Sequence, residues 1–144
     1  MDSKWQKEYL EKIYNLAKMS YDMDEIPVGA IVVRNGEIIG TGVNSRHGNK
    51  SVVGHAEINA IEEACKYIGD WRLDGCELYV TLLPCMMCSG AILESRIKKV
   101  YYLSDRTNVC FKTSDFVNVI KIDAEEWEKK YLKLLQLFFE NKRN

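Results

Sequence analysis

The sequence predicts an α/β domain of three layers, with helices on both faces of one mixed central sheet. Three observations carry that expectation. Two apolar segments flank Asn35-Gly36, helix-like and strand-like patterns alternate from Ala56 to Leu103, and an amphipathic pattern stands near each end of the chain. With 144 residues, 47% of them hydrophobic, one core and one domain over residues 1–144 are expected.

From Trp5, the apolar residues Tyr9, Ile13, Leu16 and Ala17 recur at helical spacing while Lys4, Lys7, Glu8, Glu11 and Lys12 fill the other face. Val28 to Val33 and Ile38 to Val43 read as two strands joined at Asn35-Gly36, a favoured hairpin turn. Residues 44–54 lack periodicity and form a loop, with His55 at its exit. Ala56 to Ile68 reads as a helix stopped at Gly69-Asp70, and Glu77 to Leu82 as a strand that runs into Pro84. A helix near Met86 to Ser95 and a strand near Lys99 to Leu103 follow. Residues 104–115 carry no legible pattern, and Phe116 to Ile120 alternates as a last strand. Asp123 is the expected N-cap of a final helix, with Glu126 three residues on and Trp127, Tyr131, Leu134, Leu135, Phe138 and Phe139 on its apolar face.

From a formal net charge of −1 neither a general polyanion-binding surface nor an acidic tail can be read, so any nucleic-acid contact must rest on local patches. One such group is Arg96, Lys98, Lys99, Arg106 and Lys112, set against Asp105 alone; a solvated face is the alternative. No run approaches membrane-spanning length and the first residues do not read as a secretory signal, so a cytoplasmic protein without a membrane partner is expected. Five cysteines, an odd count, then favour metal binding over a disulfide framework.

Zinc takes thiolate and imidazole ligands, and a catalytic zinc site keeps one of four positions open for water. Cys85 and Cys88, three apart after Pro84, would share one face of a helix start, where the thiolate form is favoured. His55 precedes the other helix and is the third candidate ligand. Glu57 lies two residues beyond His55, a spacing that mid-helix would turn the pair about 200° apart. Only at the helix entrance can both face one site, with Glu57 beside the metal as a proton carrier and not a ligand. A lone C-x-x-C can instead be a redox pair, and a structural zinc module would close the fourth position, with His47 or Cys110. Cys65 and Cys76 read as buried thiols. Together, His55-Ala56-Glu57 and Pro84-Cys85-Met86-Met87-Cys88 form the H-x-E plus P-C-x-x-C signature of zinc deaminases.

On those motifs the chain resembles the cytidine deaminase superfamily, and within it the bacterial tRNA-specific adenosine deaminases. The resemblance runs through Pro27-Val28-Gly29-Ala30, Asn44, His55-Ala56-Glu57, Leu78 to Leu82, Pro84 to Ile92, Ser95-Arg96-Ile97, Leu134-Leu135 and Phe138-Phe139. It departs at Leu83, where those tRNA enzymes usually carry Glu, and at Thr107 to Cys110, where they carry a Gly-rich segment. Asn59 and Leu103-Ser104-Asp105 are more similar to deoxycytidylate deaminases, whereas the short loop before His55 is not.

The resemblance implies a cytidine-deaminase-like fold and hydrolytic conversion of the wobble adenosine in a tRNA anticodon stem-loop to inosine. It implies one Zn2+ per chain, a base pocket lined by Val28, Asn44, Ala56, Leu82 and Pro84, and a homodimer. By the same resemblance, Lys142 and Arg143 would lead to RNA phosphates. Deoxycytidylate, cytidine or a free nucleobase such as guanine stay open as other substrates.

Overall fold

At the hairpin turn Asn35 and Gly36 take φ values of 50° and 80°, the left-handed pair that a type I′ turn requires. In this computed structural model, which describes residues 4–105 and 117–141 and side chains from Lys7 onward, β1 (Gly29–Arg34) returns antiparallel as β2 (Glu37–Val43). The other edge of β1 pairs antiparallel with β3 (Cys76–Leu82), which pairs parallel with β4 (Lys99–Ser104). β5 (Asn118–Lys121) adds parallel to β4, giving one mixed sheet in the order β2-β1-β3-β4-β5.

Period-two alternation divides the strands between two faces. Ala30 and Val32 of β1 with Leu78 and Val80 of β3 pack against α2 (Ala56–Ile68) and α3 (Met86–Glu94). Ile31, Val33 and Tyr79 turn the other way, under α1 (Lys4–Asp22) and α4 (Glu125–Asn141). The result is the expected α/β/α order.

Helix α2 lies very close to β2. A Cβ on Gly42 would collide with the Ala56 carbonyl, and one on Gly40 with the Ala60 carbonyl, so the two glycines opposite Ala56, Ala60 and Ala64 let helix and strand touch. That contact fixes the entrance of α2, where His55 and Glu57 stand. α4 is set by Tyr131, fully buried, whose hydroxyl donates to the Pro27 carbonyl at 2.6 Å.

Two boundaries differ from the sequence expectation. α4 opens at Glu125, and the Glu128 N–H bonds the Ala124 carbonyl at 2.9 Å, so Ala124 holds the capping position assigned to Asp123. β5 is displaced toward Lys121, and Phe116 lies outside the described residues. Among the described residues no helix is long and apolar enough to cross a membrane.

Candidate active site

His55 and Cys85 are both helix N-caps in extended backbone, with φ/ψ of −90°/149° and −74°/177°. Extended residues at the entrances of α2 and α3 aim their side chains into the same hollow beyond the end of β3. Cys88, in the first turn of α3, joins them from the same helix. His55 Nδ1 lies 3.6 Å from Cys85 Sγ and 3.5 Å from Cys88 Sγ, and the three ligand atoms fall within 4.8 Å of one another. Zinc at bond lengths of about 2.0–2.1 Å to nitrogen and about 2.3 Å to sulfur would set tetrahedral N–S edges of about 3.5 Å. The residues present therefore fit one zinc ion.

The thiols support the same fit. Hydrogen bonds from Cys88 and His55 push the Cys85 thiol down to about 3, the thiolate form. Cys88 is pushed up, first by its bond to Cys85, then by burial and the Glu57 carboxylate. Two sulfurs this close disfavour a second negative charge beside the first. A dication at their centre offsets that repulsion and favours both as thiolates.

Glu57, 2% exposed, lines the same hollow without belonging to the ligand group. The cavity holds about 440 Å³, with His55, Glu57 and Cys85 at its base. Ile26, Val28 and Leu82 make apolar walls, and α4 closes one side with Leu132, Leu135 and Phe139. Arg46 and Asp105, both exposed, give the lining its other charges.

Of the expected pocket residues, Val28, Asn44 and Leu82 line the cavity, whereas Ala56 and Pro84 are buried and do not. Ala56 packs with no exposed surface under β2, and its N–H is taken by Asn44 Oδ1 at 2.9 Å. Asn44 Nδ2 donates to the Ile26 carbonyl at 3.0 Å, so the amide caps α2 from another segment and its orientation is fixed. One Nδ2 hydrogen and one Oδ1 lone pair remain beyond these bonds.

His47 is exposed and stands outside the ligand group, and Cys110 lies outside the described residues. Cys76 is buried, and Cys65 is partly exposed with its sulfur 3.6 Å from the Trp71 carbonyl. Arg96 lies over the Trp71 ring at 5.4 Å, while Lys98 and Lys99 are exposed. Arg106, Lys112, Lys142 and Arg143 fall outside the described residues.

Sequence reasoning missed Ile26, Arg46 and Leu132 as cavity residues, and Leu135, Phe139 and Asp105 in that role. A signal existed for part of this. Leu132, Leu135 and Phe139 repeat Tyr131, Leu134 and Phe138 one residue later, a second apolar stripe about 100° around α4.

Residues 3–104 match the cytidine and deoxycytidylate deaminase zinc-binding region. A tRNA-specific adenosine deaminase of Buchnera aphidicola subsp. Schizaphis graminum is 40% identical over 149 aligned positions, covering 99% of this chain and 96% of that protein. The Bacillus subtilis tRNA-specific adenosine deaminase is 46% identical over 94 residues, 65% of this chain but only 58% of its own length. Among solved structures, one from a study of A-to-I editing by tRNA:A34 deaminases at the wobble position superposes with a TM-score of 0.79 at 31% identity, covering 87% of this chain and 99% of that one. A Bacillus subtilis guanine deaminase gives 0.67 at 37% identity, over 74% of this chain and 67% of that one.

Proposed function

The chain belongs to the cytidine and deoxycytidylate deaminase family, and from that premise we propose that it is a zinc-dependent hydrolase converting the wobble adenosine of a tRNA anticodon loop to inosine. The observation that carries the reading is one cavity lined by a buried carboxylate, Glu57, and by His55 and Cys85, whose ligand atoms lie within 4.8 Å of the buried Cys88 sulfur. The relatives and the solved structure described above support the tRNA substrate.

Zinc held there supplies a Lewis acid that lowers the pKa of a water toward about 7. Glu57 takes the proton of the attacking water, whose oxygen becomes bonded to the amine-bearing carbon of the base. It passes that proton to the ring nitrogen, then takes the remaining proton of the newly bonded oxygen and gives it to the departing amine, so that a carbonyl forms as the carbon–nitrogen bond breaks and ammonia leaves. Burial keeps Glu57 aimed at one place from the first turn of α2. Val28 and Leu82 flank the base, and the remaining hydrogen and lone pair of Asn44 read its edge.

In this reading Ala56 and Pro84 act from beneath the pocket wall, Lys142 and Arg143 contact RNA phosphates, and the enzyme is a cytoplasmic homodimer. The test is to incubate the zinc-loaded protein with an anticodon stem-loop bearing adenosine at the wobble position, beside deoxycytidylate, cytidine, adenosine and guanine, and to measure ammonia. Release from the stem-loop, with inosine in its digest, is expected. Release from guanine alone would favour free-purine deamination, the reading that the guanine deaminase likeness supports. Release from a mononucleotide alone would favour deoxycytidylate or cytidine.

A further inference from the structure

Resting on the reading of this cavity as a substrate site, we infer that Glu25 is a positioning residue for the substrate: from inside the protein, its carboxylate holds the rim of the cavity in shape. Glu25 is 2% exposed, and its two oxygens accept from consecutive backbone N–H groups of the opposite loop. Oε1 takes the His47 N–H at 3.2 Å and Oε2 the Gly48 N–H at 2.8 Å. Among the described residues no cation pairs with it. A carboxylate withdrawn from water needs such donors, and two successive N–H groups aimed at one anion make a nest that this side chain fills.

The surroundings explain why the clamp matters. Residues 46–50 are exposed, so little side-chain packing holds them. Their shape rests on hydrogen bonds: Ser51 N–H to the Arg46 carbonyl at 3.0 Å, Asn49 to Ser45 Oγ at 3.0 Å, and the two bonds to Glu25. Asn49 is tied through Ser45 to Asn59 of α2, and the two bonds to Glu25 tie His47 and Gly48 at the tip of the turn to the body of the fold. Arg46, immediately before the clamped pair, and Ile26, immediately after Glu25, both line the cavity. The clamp therefore spans the rim, with a cavity residue adjoining each end.

A rim ordered before the substrate arrives spares the cost of ordering it on binding. The clamp bonds His47 and Gly48, neither of them a zinc ligand, and not Glu57, so its effect falls on binding and not on the chemical step.

Glu25→Gln keeps the volume but turns one acceptor into a donor facing an N–H. Its KM for the stem-loop is expected to rise about tenfold or more, with kcat within about twofold of wild type. Zinc content stays at the wild-type level, and amide hydrogen exchange at His47 and Gly48 accelerates. An unchanged KM alongside faster exchange would overturn the inference, as would kcat and zinc content falling together. Should the variant not fold, wild-type exchange decides: slow exchange at His47 and Gly48 supports the clamp, and rates of an unstructured chain overturn it. Failure of the substrate assignment reads differently, because wild type then leaves the stem-loop unchanged and the KM comparison is made on whichever base compound it does deaminate.

Discussion

Glu57→Gln is expected to lower kcat by about a thousandfold or more. Glutamine has the same shape, so the buried packing of residue 57 under 2% exposure and the α2 entrance persist. What it loses is the ability to accept a proton and return it. The same side chain serves the water, the ring nitrogen and the departing amine in turn, so one substitution interrupts all three transfers. A thousandfold is about 4 kcal/mol of barrier, the order general acid–base catalysis supplies. Zinc content and melting temperature should stay near wild type, since Glu57 stands outside the ligand group. Steady-state ammonia release with metal analysis on the same preparation checks it; near-normal turnover removes Glu57 from its role.

Cys88→Ala is the second large effect, and it falls on the metal. Cys88 is wholly buried and sits 3.5 Å from His55 Nδ1, so no neighbouring group or solvent ligand replaces its sulfur without rebuilding the start of α3. Zinc is expected to be lost, and activity with it. A ligand at a hundredfold above its Kd stabilises the fold by about 2.7 kcal/mol, and this contribution should vanish. The check compares melting with and without a chelator: wild type should shift downward and Cys88→Ala should not. Cys85→Ala and His55→Ala should behave alike, and one tightly held zinc in Cys88→Ala would refute the ligand set.

What the sequence shows of the fold depends on how local each cause is. The hairpin is legible because Asn35 and Gly36 supply its left-handed turn by themselves. His55, Glu57, Cys85 and Cys88 are legible as a candidate site because few residue types do zinc chemistry and their spacing needs two helix entrances. Glu25 is not, since its partners His47 and Gly48 lie 22 and 23 residues away and their N–H groups carry no side-chain signature. The Asn44 amide is similar, being spent on Ala56 and Ile26, 12 and 18 residues distant. On α4 the period is plain, but Leu132, Leu135 and Phe139 were not separable from the buried stripe beside them until the sheet fixed which face turns inward.

The proposed chemistry needs a metal held by three protein ligands beside Glu57, with the fourth position left for water. X-ray absorption at the zinc edge of the substrate-free protein tests this most directly. The predicted shell has two sulfurs at about 2.3 Å, one imidazole nitrogen at about 2.0–2.1 Å and one further light atom showing no imidazole scattering. A third sulfur or a second imidazole would mean that the protein itself closes the site, and would contradict the account.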